Sequence, residues 1–121
     1  MIPQWDAEKP IYMQLYQQVI ERIICGDIAE GESLPSVRRV AAEYRLNPLT
    51  ISKAYQMLQD EALVDKQRGK GLFVKQGIKD KLLRREREQF LTQEWPAILH
   101  RIKRLHLGVD ELLKINGEVK S

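Results

Sequence analysis

The residues with most chemical capacity in this chain are bases and small polar groups carried on short, apolar-periodic segments. In Asn47-Pro48-Leu49-Thr50-Ile51-Ser52-Lys53-Ala54-Tyr55, residues Ile51, Ala54 and Tyr55, with Leu58 beyond, fall on one helical face. Leu49, Ser52, Lys53 and Gln56 fall on the other. Asn47 is suited to accept a first-turn N–H, and Pro48 to occupy the first helical position, where no donor is needed. Taken alone this is an ordinary amphipathic surface helix. Its polar first turn with one base is also the shape and chemistry that a DNA major groove accepts. Further on, Lys66, Arg68, Lys70 and Lys75 lie within ten residues that hold no acid. Such a patch can engage phosphates even where the surrounding segment is neutral. Gly69-Lys70-Gly71 lacks the spacing and the Ser or Thr of a phosphate-cradling loop, but glycines flanking a lysine permit positive φ and close backbone approach.

Residue patterns that would support bond-breaking chemistry are missing from the sequence. Cys25 is the only cysteine, so no internal disulfide or metal framework is expected; its place near the end of an apolar helix suggests core packing. His100 and His106 are six residues apart, which sets them about 240° apart around a helix and unsuited to share a metal. No Ser/His/Asp or paired-carboxylate arrangement stands out, and no cofactor is expected. No apolar run reaches the length of a membrane span and no signal peptide opens the chain, so a cytoplasmic protein without membrane contact is expected. Residues 1–77 hold ten basic and ten acidic side chains, and residues 78–121 hold ten and seven. The net charge of +3 is therefore only a mild hint of an anionic partner, and the local patches carry the information.

The elements that must position these groups are legible upstream and downstream. After an extended arm over 1–9 that carries Pro3 and Trp5, Pro10 starts a helix. Ile11, Leu15, Val19 and Ile23 form its stripe, widened by Tyr12, Tyr16, Ile20 and Ile24, and Gly26 is placed to end it. Trp5 is expected to cover the base of this helix. In the connector, 32–34 is short enough to be one small strand. Ser36 is an expected N-cap, and Val37, Val40, Ala41 and Tyr44 follow at helical spacing, with Arg38 and Arg39 pointing away from the stripe. A turn at Arg45-Leu46, with Leu46 plugging the corner, then joins two short helices, which is the helix-turn-helix unit. Residues 63–67 and 72–74 read as a hairpin with its turn at 68–71.

Leu34-Pro35-Ser36-Val37-Arg38, Asn47-Pro48-x-Thr50, Lys53-Ala54-Tyr55 and Arg68-Gly69-Lys70-Gly71-x-Phe73-Val74 together resemble the winged helix-turn-helix of the GntR family of bacterial transcription regulators. The resemblance covers roughly residues 8–76. The short helical tail resembles the YtrA-like subfamily, whose members lack the larger effector domains found elsewhere. The implied fold class is mainly α: a winged helix-turn-helix DNA-binding domain over 1–77, then a small two- to three-helix dimerisation tail over 78–121. The resemblance implies that Arg38 contacts DNA, that Thr50 and Lys53 face base edges and phosphates, and that Gly69-Lys70-Gly71 is a wing tip reaching the minor groove. With their neighbours, the candidate DNA-binding set is Ser36, Arg38, Asn47, Leu49, Thr50, Ser52, Lys53, Arg68, Gly69, Lys70 and Gly71. Leu49 stands where many members carry a polar residue, and a leucine suits a thymine methyl. Arg45 and Ala62 stand where glycine is frequent, so left-handed φ at either implies strain of roughly 1 kcal/mol.

In the tail, Arg84-Arg85-Glu86-Arg87-Glu88-Gln89 separates Leu82-Leu83 from Phe90-Leu91, as in a helix that bridges rather than packs. Trp95-Pro96 marks an expected new helix start. Gly108 is expected to end that helix and Asp110 to cap a last one. Leu82, Phe90, Trp95, Ile98, Leu99, Ile102 and Leu105 are too many large apolar groups for so small a tail to bury alone, so a second copy of the chain is the expected partner. The leading expectation is a homodimeric regulator, a repressor by the commoner habit of the family, on a pseudo-palindromic double-stranded operator. The alternative is a winged helix that docks a protein without specific DNA binding, against which the basic wing and polar helix face weigh. An enzyme is not expected: some GntR relatives fuse this domain to an aminotransferase-like one, for which 121 residues leave no room. Nothing in the sequence specifies a small-molecule effector.

Overall fold

A computed structural model describes residues 4–115; Pro3 of the expected arm and residues 116–121 lie outside the described residues. Helix α1 spans Ile11–Cys25. Pro10, at φ −57° and ψ 137°, sets its entry, and Gly26, at φ 88°, closes it with its N–H on the Ile23 carbonyl. Leu15, Tyr16, Val19, Ile20 and Ile23 form the buried stripe. Helix α2 spans Val37–Tyr44, and the Ser36 hydroxyl oxygen accepts the Arg39 N–H at 3.1 Å as its N-cap. Helix α3 spans Pro48–Asp60 and buries Ile51, Ala54, Tyr55 and Leu58 against α1 and α2. Arg45, at φ 55°, and Ala62, at φ 59°, both take the left-handed conformation that the sequence left conditional. Arg45 turns the chain so that Leu46 N–H meets the Ala41 carbonyl at 3.0 Å. Ala62 does the same after α3, placing Leu63 N–H 3.0 Å from the Leu58 carbonyl.

Strands β1 (Val64–Gln67) and β2 (Gly71–Val74) pair antiparallel, Val64 opposite Val74 and Gln67 opposite Gly71. The expected strand at 32–34 is reduced to one bridge, Ser33 opposite Phe73. Flanking hydrogen bonds from Gly31 N–H to the Val74 carbonyl at 2.7 Å and from Leu34 N–H to the Leu72 carbonyl at 2.8 Å hold this connector on the free edge of β2. Trp5 packs edge-to-face on Tyr44 of α2, with ring centroids 6.2 Å apart.

Helix α4 spans Ile78–Gln89. Its first turn is part of the core: Ile78 is 5% exposed and Leu82 2%. The Glu30 carboxylate in the connector accepts the Lys79 N–H at 2.9 Å, capping α4 from outside its own segment. That hydrogen bond and a second to Gly77 N–H hold the Glu30 carboxyl below its ordinary pKa. This corrects one expectation. Leu82 is not available to a partner, because it fills the interior of its own compact unit. That unit runs from Met1 to Leu83 rather than stopping at 77.

The second unit begins at Arg84. Helix α5 (Trp95–Arg104) starts at Trp95-Pro96 as expected, and a π-helical turn over Phe90–Glu94 leads directly into it. Pro96 has no N–H to continue an α ladder. The backbone stays helical and widens by one residue, so that Trp95 N–H donates to the Phe90 carbonyl. Helix α5 ends at Arg104 rather than at Gly108, closed by His106 at φ 57° with Leu107 N–H on the Ile102 carbonyl at 3.1 Å. Gly108 instead precedes the last helix, α6 (Val109–Ile115), where the Glu111 carboxylate reaches back to its N–H at 3.4 Å. Asp110 lies inside the first turn of α6.

Candidate nucleic-acid interface

Helices α2 and α3 are joined by Arg45-Leu46-Asn47. Asn47 Oδ1 accepts the Leu49 N–H at 2.9 Å, and Pro48 opens α3. With the opposite stripe fully buried, Leu49, Ser52, Lys53 and Gln56 are left on the surface. Leu49 is 74% exposed, a large apolar side chain held off the core at the outermost position of the first turn. Thr50 is only half-buried beside it, so it is less free than its place in the sequence suggested. Gln56 is drawn toward the next turn, its Nε2 donating to Asp60 Oδ1 at 2.9 Å. Lys53 Nζ stands 4.0 Å from the centroid of the Tyr12 ring of α1.

The start of α2 is tied to α3. The Tyr55 hydroxyl donates to the Pro35 carbonyl at 2.7 Å, just ahead of the Ser36 cap. Burial pushes the Tyr55 phenol up to about 12, with Tyr44 adding in the same direction and Arg22 opposing, so it is a hydrogen-bond donor throughout the ordinary pH range. Arg38 and Arg39 are exposed on the outer side of α2. The Ser36 oxygen is engaged in capping yet its side chain remains at the surface.

In the hairpin, Arg68, Gly69 and Lys70 form an exposed three-residue tip closed by Lys70 N–H on the Gln67 carbonyl at 2.9 Å. Gly69 and Gly71 have φ of 77° and 99°, and no atom lies within 4 Å of a Cβ built at either. Backbone conformation, not crowding, is what asks for glycine at both. The basic run narrows here: Lys75 lies 3.5 Å from Asp65 across the hairpin, which neutralises it. Lys66 gains importance instead. With side chains alternating along β1, Lys66 shares the inward face of Val64. It lines a cleft of about 280 Å³ with Val37, Ser52, Gln56, Gln59 and Leu72. Recognition helix and wing thus face each other across a cleft with a base on its wall. Lys66 belongs to the basic patch legible in the sequence but not to the candidate DNA-binding set; the strand period could have placed it on this wall.

Cys25 is exposed, not part of the core as expected. Local desolvation and the Glu21 carboxylate, 3.6 Å away, raise its thiol above the ordinary value, which disfavours the nucleophilic thiolate. His100 and His106 are both exposed on the second unit. Among the described residues no group of His, Cys, Asp and Glu could hold a metal, and no helix is long and apolar enough to cross a membrane.

The family model for bacterial regulatory proteins of the gntR family matches residues 11–74, from the start of α1 to the end of β2. The chain belongs to the GntR family. Among similar proteins of this family, the HTH-type transcriptional regulator YhcF of Bacillus subtilis is 32% identical over 117 residues, covering 92% of this chain and 90% of YhcF. The transcriptional repressor YtrA of Bacillus subtilis is 39% identical over 77 residues, 64% of this chain and 59% of YtrA. Among solved structures, YtrA of Sulfolobus acidocaldarius aligns with a TM-score of 0.58 and 35% identity, covering 77% of this chain and all of that one. This GntR chain is a winged-helix transcriptional regulator, mainly helical with a two-stranded wing, and its resemblance to YtrA extends beyond the sequence motifs to solved structure.

Proposed function

We propose that this regulator binds a pseudo-palindromic double-stranded DNA operator as a homodimer, acting in the cytoplasm without cofactor or catalytic step. The observation that carries this reading is the exposed face Leu49–Ser52–Lys53–Gln56 on a helix capped by Asn47, set across a cleft from Lys66 and beside an exposed basic tip. The first turn of α3 enters the major groove, where Leu49 meets a thymine methyl and Thr50 and Ser52 address base edges. Arg38, Lys53, Arg68 and Lys70 meet phosphates and supply most of the affinity, with Gly69 and Gly71 letting the tip approach the backbone closely. Ser36 and Asn47 hold the two helix starts in register and reach the DNA from there.

The dimer forms through the tail. Phe90, Ile98 and Leu105 are exposed, Trp95, Leu99 and Ile102 half-buried, and Leu91, Val109, Leu113 and Ile115 add to the apolar surface. A two-fold contact would cover this surface and pair two recognition helices. Selecting bound sites from random duplex DNA tests both halves of the proposal. Two inverted half-sites at fixed spacing are expected. A single half-site would exclude the dimer on DNA. Recovery of no motif, with binding insensitive to salt, would favour a protein-docking winged helix instead.

A further inference from the structure

The Lys53 side chain is exposed on α3, yet it does not project into solvent alone: its ammonium sits over the face of Tyr12, 4.0 Å from the ring centroid. The Tyr12 ring belongs to α1, is half-buried and packs against the core, so it is a fixed platform. One turn along α1, the Tyr16 hydroxyl bonds the Glu61 carboxylate just beyond the far end of α3. Helices α1 and α3 are therefore joined twice, near the middle of α3 through a cation over a ring and just beyond its C-terminal end through a carboxylate.

We propose that Tyr12 is a positioning residue for DNA binding: its ring holds the Lys53 ammonium at the edge of the recognition helix, aimed at a DNA phosphate. The proposal rests on the reading that this face of α3 meets DNA. A free lysine has a flexible four-carbon stem, and fixing it on binding opposes affinity. The π face removes part of that cost beforehand, because its negative quadrupole attracts the cation without a hydrogen-bond acceptor. A carboxylate partner would pair with the ammonium and repel a phosphate. A ring leaves the outward hemisphere of the ammonium and its donors available, so ring and phosphate can sandwich the charge.

The test uses the full chain and a labelled mixed-sequence duplex, since a phosphate contact is independent of sequence. Tyr12→Leu should weaken binding about two- to fivefold per protomer, the scale of an exposed cation–π contact. Tyr12→Phe, which keeps the π face, should bind as the parent does. In a Lys53→Met background, Tyr12→Leu should have no further effect. In the free protein, the ε-methylene protons of Lys53 should resonate upfield through the ring current, and Tyr12→Leu should abolish that shift. Tyr12→Met keeps bulk against the core and replaces Tyr12→Leu if the latter lowers the melting temperature.

An equal loss from Tyr12→Leu with and without Lys53→Met would overturn the proposal, since Tyr12 would then act independently of the lysine. So would a loss with Tyr12→Phe as large as with Tyr12→Leu, which would assign the effect to the hydroxyl. If Lys53→Met binds as the parent while the ring-current shift persists, the contact stands but its DNA role is wrong. That outcome overturns the proposal through the underlying assignment of Lys53 and is recognisable as such.

Discussion

Leu82 offers the sharpest test of how the chain is divided, because it is buried in the first unit although its sequence neighbours suggested an interface. Cutting after Gly77 removes both Ile78 and Leu82 from the core and strips Lys79 from the Glu30 carboxylate. Each large aliphatic side chain taken from a well-packed interior costs roughly 2–5 kcal/mol, so the two together cost about 4–10 kcal/mol. A domain of this size has only about 5–15 kcal/mol in total. A fragment of residues 1–77 should therefore be largely unfolded or melt far below the parent, whereas a fragment of residues 1–83 should keep a cooperative transition. Leu82→Ala in the full chain should cost roughly 2–5 kcal/mol by urea titration. Circular dichroism melts of the two fragments, with sedimentation to establish their mass, decide the matter. The longer fragment should be monomeric. It should also lose operator affinity, because tethering gives the second half-site an effective concentration of order mM, about a hundredfold advantage over a half-site Kd near 10 μM. If the 1–77 fragment melts within a few degrees of the 1–83 fragment, the core does not depend on α4, and the reasoning from burial fails.

Four further outcomes are expected. Lys70→Ala should weaken binding to all sequences alike and flatten the slope of log affinity against log salt by about two for a dimer; an unchanged slope would mean that Lys70 neutralises no phosphate. Thr50→Ala should cost roughly 1–3 kcal/mol on the selected operator and less on random DNA, and an equal loss on both would remove its base-contact role. Ala62→Gly should relieve the left-handed strain at φ 59° and raise stability by about 1 kcal/mol, visible as a melting temperature about 4–8 °C higher for a domain of this size; no rise would place the residue in an unstrained turn. Glu30 has a folded-state pKa held below its ordinary value of 4.5, so its ionised form stabilises the fold above that pH and the contribution is lost as pH falls through the lower folded value. The difference in melting temperature between the parent and Glu30→Gln should therefore be present at neutral pH and shrink below about pH 4.5. A difference that persists in acid would mean that the Glu30 charge is not what caps α4.

The parts of the fold that local chemistry dictates were legible in the sequence. Ser36 and Asn47 each cap the helix that follows through a bond to a neighbouring N–H, and Gly26 terminates α1 at positive φ. The pattern failed where several local signals compete. Pro96 marked the start of α5, but its presence did not show that a π-helical turn runs into that start without a break. Gly108 looked like a terminator for α5, yet His106 takes the left-handed position two residues earlier, where the Leu107 N–H still reaches the Ile102 carbonyl.

The candidate interface shows the same division between local and tertiary information. Helical period separated Ile51, Ala54, Tyr55 and Leu58 from Leu49, Ser52, Lys53 and Gln56, because residues on one face of a helix share one fate. It could not reveal that Lys75 is neutralised by Asp65 or that Lys66 faces Ser52 and Gln56 across a cleft, because both depend on strand register. Nor could it reveal that Lys53 rests on Tyr12, 41 positions upstream in another helix. Leu82 belongs with these. Its spacing from Phe90 follows one helix, but its burial is decided by the core cluster of the first unit. A side chain's type and period state which face it prefers, while the element across from that face decides whether it serves the core, a partner or the DNA.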